Sequence, residues 1–323
     1  MKTRIQSHLN AQPPNWEAAF DELTAGLLDA RHLDPLDSSW CALSDDIANA
    51  IPDVVTKLRF WERLERFFRR ALPARFPGVD FSHGHILFRR ALLLMKFQQR
   101  LPYAKTLLTR ARNEDLQRGG ASGESAASMW LVILEDVEEG ELAQLSNVQR
   151  GYMIDALRYA WNCAVTERRP DPRVAGTIAN LSRCAVPSKR DQFQQVALGR
   201  HSELLRSAAA GLVVPSLACT AYLAEWVGIM VLRKRGVRTV QQQGRRVSVE
   251  GAYLSTVVRR VKQIDRSEHR VVGNLMATIQ GLRNRIHSGN DGRRSIGLEP
   301  ILAKVFPHLV DRLVIQAHGW VLR

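Results

Sequence analysis

Apolar residues recur at three- and four-residue intervals along almost the whole chain, and this helical period constrains the fold more than any other feature. Clear examples are residues 16–30, 53–72 and 85–99. In the first of these, one face carries Trp16, Phe20, Leu23 and Leu27. Strand-like alternation is nearly absent from the sequence. The pattern therefore predicts an all-α protein, with a helical N-terminal region followed by a C-terminal antiparallel four-helix bundle.

Breaks in the periodic pattern divide the chain into three regions. The stretch RGGASGESA at residues 118–126 has glycine and serine but no apolar anchor, which is typical of a flexible link. We therefore predict an N-terminal helical domain at 1–118, a linker with middle helices at 119–187, and a basic helical bundle at 188–323.

Positive charge is concentrated in the second half of the chain. The 323 residues carry a net charge of +14. Residues 1–150 hold 19 basic and 20 acidic side chains, whereas residues 151–323 hold 27 and 12. A neutral half joined to a strongly basic half indicates that the second half meets a polyanion such as nucleic acid. A solubilising arginine shell, or an arginine-rich composition, would produce the same imbalance.

Cysteine and histidine spacing gives no sign of a metal site or a cofactor. None of the four cysteines is paired at CxxC spacing, which favours a reducing, cytoplasmic setting. His83 and His85 are spaced so that they could chelate a metal, but no third ligand is visible near them. The first ten residues lack the apolar core of a secretory signal. We therefore predict a cytoplasmic protein without metal or cofactor.

One segment is apolar enough to raise the question of a membrane. Residues 208–232 contain a single charge, Glu225, and are long enough to cross a bilayer. Pro215 and the arginines on both flanks argue against a membrane span. A helix at the centre of a bundle is also apolar on all sides. We therefore predict a core helix and no membrane partner.

Four long helices are predicted in the C-terminal bundle, at residues 216–235, 248–265, 268–287 and 297–316. In the second of these, periodicity assigns Tyr253 to the buried face together with Leu254, Val257, Val258 and Val261. The third ends in the sequence LRNRIHSG, where Arg283, Asn284 and His287 lie close together.

The order of these parts resembles the HEPN family of small α-helical bundles, which are common in prokaryotic toxin and defence systems. The family mark is an arginine, often followed by asparagine, with a histidine after four to six intervening residues near the end of the third helix. LRNRIHSG resembles that mark, although three residues rather than four separate Arg283 from His287. The apolar first helix with an internal acid, Glu225, is also typical of the family. The resemblance covers roughly residues 192–316.

Membership of this family implies RNA cleavage without a metal. His287 would be the general acid or base, Arg283 would hold the phosphate, and Asn284 would orient the phosphate or cap the helix. Independently of the family, a carboxylate buried in an apolar helix needs a partner, and for Glu225 we predict Arg283, either as an ion pair of the bundle or as the residue that Glu225 positions. In the family such a site is shared between two bundles, which implies a homodimer through the C-terminal bundle.

The same residues are also compatible with simpler alternatives. Lysine, arginine and histidine are favoured in the last turn of any helix, so RNRIH is also an ordinary helix end. Two other functions are compatible with the sequence. The chain could be a non-enzymatic nucleic-acid-binding subunit of a nucleoprotein complex, or a scaffold for protein interactions. In these cases a protein partner would meet the N-terminal half.

The nucleic-acid-binding residues predicted from the sequence are basic side chains around the bundle. RNA is preferred over DNA as the partner because of the family resemblance. Few aromatic residues lie between these arginines, which argues against single-strand stacking platforms of the OB or RRM type. The set comprises Arg233, Lys234, Arg235, Arg238, Arg245, Arg246, Arg259, Arg260, Arg285, Arg293 and Arg294.

Overall fold

Contacts within the chain divide it into two units, Met1–Ala127 and Ser128–Arg323. The computed structural model describes residues 1–30, 39–79, 81, 83–117, 127, 130–131, 145–265, 271–287 and 300–322. Within these ranges the protein is all-α, apart from one two-stranded hairpin. The predicted all-α class is therefore confirmed. The predicted link at 118–126 lies outside the described residues.

Helices of ordinary length build the N-terminal unit. A π-helical turn at Phe67–Ala71 joins the fourth helix to the fifth without a break. The helices are Lys2–Leu9 (α1), Trp16–Leu28 (α2), Ser39–Ala50 (α3), Val54–Arg66 (α4), Leu72–Arg75 (α5), Gly84–Leu94 (α6) and Leu101–Gln117 (α7).

Side chains that accept hydrogen bonds from free backbone N–H groups fix where several helices begin. The Asn15 side chain accepts a bond of 3.0 Å from the Ala18 N–H at the start of α2. Asp53 does the same for Thr56 at the start of α4, over 2.7 Å. Such caps are worth about 1 kcal/mol each, so they set helix boundaries that the apolar period alone leaves open.

Aromatic rings fill much of the core of the N-terminal unit. Phe60 of α4 contacts Trp16 and Phe20 of α2 edge-on, with ring centroids 6.4 and 5.7 Å apart. Trp40 of α3 packs on Phe68 at 4.4 Å. The apolar faces predicted for 16–30 and 53–72 therefore lie in this core, as expected.

A buried arginine links several helices of the N-terminal unit. The Arg90 side chain in α6 is only 8% exposed and contacts the carboxylates of Glu62 and Glu65 in α4. Its Nη2 atom lies 3.0 Å from Glu62 Oε1 and 3.3 Å from the Tyr103 hydroxyl of α7. Glu65 also bonds Arg69, at 2.8 Å. This network ties three helices together through charged groups.

The second unit holds the four helices predicted for the C-terminal bundle and three further helices that precede them in the sequence. Its helices are Asn147–Val165 (α8), Val174–Ser182 (α9), Arg190–Ala209 (α10), Val213–Lys234 (α11), Leu254–Ile264 (α12), Val271–His287 (α13) and Pro300–Leu322 (α14). The hairpin strands Thr239–Gln242 (β1) and Arg245–Ser248 (β2) lie between α11 and α12.

The apolar helix α11 is the centre of this unit. It packs against α10, α12, α13 and α14, so it needs apolar residues on nearly every side. Among the described residues, α11 is the one helix whose length and hydropathy would allow it to cross a membrane, and most of it is buried within the protein. The helices α8 and α10 also pack on α14, so the four predicted helices are part of a larger assembly.

Close packing around Gly228 of α11 gives a stability prediction. A Cβ atom at Gly228 would lie 2.4 Å from Met276 Cε of α13 and 2.5 Å from Val257 Cγ1 of α12. We expect Gly228→Ala to lower the free energy of unfolding by about 1–3 kcal/mol through overpacking. Urea unfolding followed by circular dichroism measures this change.

Gly199 of α10 provides the matched control, because among the described residues no atom outside the local backbone of its own helix lies within 4 Å of its Cβ position. Gly199→Ala should be neutral or should stabilise the chain by up to about 1 kcal/mol, since alanine favours helices. Equal losses for the two substitutions would contradict the close approach of the three helices at Gly228.

Candidate nucleic-acid interface

A short arginine-rich hairpin separates α11 from α12. Its strands pair with Thr239 opposite Ser248 and Gln242 opposite Arg245. The two turn residues, Gln243 and Gly244, both have positive φ angles, of 50° and 76°. Such two-residue turns match the twist of antiparallel strands. The sequence predicted a connection between helices here and missed the strands.

Arginines cover the exposed parts of this hairpin. Arg238, Arg245 and Arg246 are exposed, whereas Val240 is buried against the unit. The Arg246 side chain donates a bond of 2.7 Å to the Thr239 hydroxyl across the ladder. The strands therefore hold arginines in defined positions that lie outside the core.

The helix α12 carries more arginines next to the hairpin. Leu254, Val257, Val258 and Val261 are buried on one face, and Arg259 and Arg260 are exposed on the other. Strand β1 packs on α12. We call Arg238, Arg245, Arg246, Arg259 and Arg260 together the basic surface.

Tyr253 is an exposed aromatic residue beside the basic surface, with 60% of its area accessible. The sequence assigned it to the buried face, and that prediction is wrong. Tyr253 precedes the first residue of α12, so helical periodicity does not apply to it. Its N–H donates to Gln242 Oε1 of the hairpin over 2.7 Å, which fixes the backbone at this point.

The predicted basic residues fall into two groups: those that bind another residue of the protein and those that have no acidic partner among the described residues. Arg233 forms an ion pair with Glu250, and Arg235 donates 3.1 Å to the Trp320 carbonyl and stacks on its ring. No acidic partner within ion-pair distance exists, among the described residues, for Lys234 or for the basic surface. These cations therefore keep their charge available to a ligand.

The end of α13 carries the residues of the HEPN-like motif. Helix α13 ends at His287, and both Arg283 and Asn284 are exposed near that end. Residues four apart in a helix lie about 40° apart on one face, so Arg283 and His287 share a side of α13. The side chains of Arg285 and His287, and the residues Arg293 and Arg294, lie outside the described part of the chain.

Glu225 of α11 lies near the motif. It is half-buried, and burial raises the pKa of its carboxyl. The positive charge of Arg283 acts in the opposite direction and partly offsets this shift. The structure thus brings Arg283 within electrostatic range of Glu225, although no ion pair within 4 Å links them. The Glu225 carboxyl in this position can attract the exposed Arg283 guanidinium electrostatically, but the two groups do not form a contact ion pair.

The histidine pair in SHGH does not converge on one point. His83 Nδ1 lies 3.7 Å from Glu114 Oε2, and His85 Nε2 lies 3.4 Å from Asp45 Oδ1. Burial lowers the pKa of His85, and contact with Asp45 partly counters that effect. Within the described ranges no three histidine, cysteine or acidic side chains are grouped so that they could hold a metal ion.

A polar cluster in the same unit as the basic surface has no counterpart in the sequence predictions. His201 of α10 faces Asp311 of α14, with Nε2 and Oδ1 3.7 Å apart, and both side chains are more than nine-tenths buried. His308 lies one turn before Asp311. More than 100 residues separate His201 from Asp311 in the sequence, so no local pattern could have revealed this contact.

Comparison of the chain with protein-family models, with curated proteins and with solved structures finds no significant match.

Proposed function

We propose that the C-terminal unit binds RNA through the basic surface and cleaves it with Arg283 and His287. The observation that carries the binding part is the set of five exposed arginines on the hairpin and α12, none of them opposed by an acid among the described residues. Side chains of this kind bind phosphates and release counterions from the nucleic acid.

Tyr253 supports single-stranded RNA as the preferred form. An exposed aromatic ring next to arginines can stack on an unpaired base, and such stacking is worth about 1–3 kcal/mol per base. Duplex RNA offers no unpaired base to such a ring, since its bases are stacked within the helix. The hairpin and α12 would then hold the backbone while Tyr253 holds a base.

The catalytic part of the proposal rests on the resemblance of LRNRIHSG to the HEPN mark. His287 would take the proton from a 2′-hydroxyl, whose oxygen attacks the adjacent phosphorus, or would give a proton to the departing 5′-oxygen. Arg283 would hold the phosphate and balance the negative charge that grows on it. DNA lacks the 2′-hydroxyl, so this chemistry selects RNA. As in the family, two copies of the chain would share the site.

A binding subunit without enzymatic activity is the second candidate. It is favoured by the position of the basic surface, which lies on the hairpin and α12 and does not include the end of α13. Binding therefore needs neither Arg283 nor His287. For either version we propose a role in a defence or toxin system, on the basis of the resemblance alone.

One experiment tests both parts. Labelled single-stranded RNA is incubated with the purified chain in the presence of a chelator, and binding and cutting are read from the same samples. We expect binding by the wild type and by His287→Ala with affinities within about threefold, and cutting reduced by about 100-fold or more in His287→Ala and Arg283→Ala.

The outcomes separate the candidates. Binding without cutting by the wild type would contradict the catalytic part and leave the binding subunit. Cutting that persists unchanged in both variants would show that the motif does not supply the chemistry. Failure of the wild type to bind RNA would contradict the proposal as a whole.

A further inference from the structure

A second candidate site lies in a cleft beside residues 167–173. We call these seven residues the strap. The cleft has a volume of about 690 Å³ and is lined by the strap and by residues of α8 and α14. None of the residues of the basic surface lines it. Any ligand of this cleft therefore binds at a place distinct from the basic surface.

The strap is held in a defined conformation. The Arg168 N–H donates 2.9 Å to the Cys163 carbonyl at the end of α8. The Asp171 N–H donates 2.7 Å to Asp311 Oδ2 of α14. Two prolines, Pro170 and Pro172, restrict the backbone around these points. The backbone of the strap is therefore held at Arg168 and at Asp171, so a ligand does not have to order it.

Three arginines give the cleft its positive charge. Arg168 and Arg169 of the strap are exposed, and Arg312 projects from α14. None of the three forms an ion pair within the described part of the chain. Arg173, by contrast, is neutralised by Asp171, which it bonds at 2.6 Å and whose pKa it holds at about 2.

An aromatic wall stands next to these charges. Tyr159 of α8 is 43% exposed and lines the cleft together with Ile315. The guanidinium of Arg312 lies 5.5 Å from the Tyr159 ring centre and 5.4 Å from that of Tyr152, whose hydroxyl it bonds at 3.3 Å. Arg312 is therefore preorganised between two rings, one of which remains open to a ligand.

The inner side of the cleft is polar and buried. His308 and Asp311 line it, and His201 lies behind Asp311. Neither His201 Nε2 nor Asp311 Oδ1 makes a hydrogen bond within the described residues. Buried polar atoms are normally satisfied, and exceptions are frequent at sites that act on a ligand. The cleft thus combines an aromatic wall, three guanidinium groups without an ion-pair partner among the described residues, and a polar floor.

We propose that this cleft binds a nucleoside phosphate, with the base on Tyr159 and the phosphate held by Arg168, Arg169 and Arg312. A tyrosine ring can stack on the flat base of such a ligand, and guanidinium groups can bind its charged phosphate. Either a free nucleotide or the 5′-phosphorylated end of an RNA supplies this chemistry. The inference does not depend on the basic surface or on the HEPN-like motif.

Calorimetric titration of the full chain tests the proposal with defined probes. These are the four ribonucleoside 5′-monophosphates, the nucleosides without phosphate, inorganic phosphate, and a short RNA with a 5′-phosphate or a 5′-hydroxyl. We expect at least one monophosphate to bind about tenfold or more tightly than its nucleoside and than inorganic phosphate. If the 5′-phosphorylated RNA also binds about tenfold or more tightly than the 5′-hydroxyl RNA, the ligand is the end of an RNA. If the two RNAs bind equally, the ligand is a free nucleotide.

Variants assign the binding to the cleft. Arg168→Gln with Arg169→Gln should weaken monophosphate binding about tenfold or more, and Tyr159→Ala should weaken monophosphate binding more than it weakens the binding of inorganic phosphate. All three residues are exposed, so the fold should persist. Arg183→Gln with Arg206→Gln, two exposed positions outside the cleft, is the matched control.

Two results would overturn the proposal. One is the absence of monophosphate binding at millimolar concentration. The other is binding that the cleft variants and the control pair change equally. Loss of RNA binding after substitutions in the basic surface would leave these titrations unaffected, so the two proposals fail independently.

Discussion

Replacing Arg90 with alanine is expected to lower the free energy of unfolding of the N-terminal unit by about 3–5 kcal/mol. The reason is the burial of the pair formed by Arg90 and Glu65. The Arg90 side chain is 8% exposed and that of Glu65 is 11% exposed, so removal of the cation leaves a buried carboxylate with less compensation. The contacts with Glu62 and the Tyr103 hydroxyl are lost as well.

Chemical unfolding followed by circular dichroism measures this effect, with Arg69→Ala as the control. Arg69 also bonds Glu65, but its side chain is 43% exposed, so its removal should cost less than about 1 kcal/mol. If Arg90→Ala costs no more than Arg69→Ala, Arg90 does not stabilise the unit in the way its burial indicates.

Reversing four charges of the basic surface is expected to lower RNA affinity by about 100-fold or more. The variant carries Arg238→Glu, Arg245→Glu, Arg246→Glu and Arg260→Glu. These side chains are exposed, and none has an acidic partner among the described residues, so the loss should come from phosphate binding and not from unfolding. Filter binding or fluorescence anisotropy with a short single-stranded RNA gives the affinity.

The N-terminal unit offers a matched control with the same change in net charge. Arg59, Arg66, Arg70 and Arg110 are all exposed in that unit. Their reversal to glutamate should change RNA affinity by less than about threefold, because it acts only through the weak long-range field of the whole protein. Equal losses in the two variants would mean that total charge, and not the basic surface, determines binding.

Local patterns were sufficient to predict most helices. The long apolar stretch around α11 indicated a central helix, because a helix packed on all sides needs apolar residues on all sides. The ends of helices were less certain, since they depend on caps such as Asn15 and Asp53 as well as on periodicity. Tyr253 shows the consequence: it was assigned to a helix that begins one residue later, at Leu254.

The hairpin was missed because its strands are short and mostly polar. Each strand has four residues, and on the register only Val240 and Val247 form an apolar pair. Two positive φ angles at Gln243 and Gly244 make the turn, and a single glycine is a weak signal for it. The arginines in this stretch were identified from charge alone, whereas their separation into available and internally bound groups required the structure.

The contacts around the cleft could not have been predicted from one sequence. His201 and Asp311 come from α10 and α14, and only tertiary packing brings them together. The sequence ERRPDPR of the strap, with its two prolines, favours a turn. The hydrogen bond from the Asp171 N–H to the Asp311 carboxylate joins residues that are 140 positions apart in the sequence. It holds the strap against α14, where the strap forms one wall of the cleft.

The dependence of RNA affinity on salt concentration tests the central claim most directly. For a single strand, the logarithm of the affinity falls with the logarithm of the salt concentration by about 0.7 per phosphate neutralised. We predict a slope of about −3 or steeper for the wild type, and a clearly shallower slope for the variant with glutamate at positions 238, 245, 246 and 260. A wild-type slope near zero, or equal slopes for the two proteins, would contradict RNA binding through the basic surface.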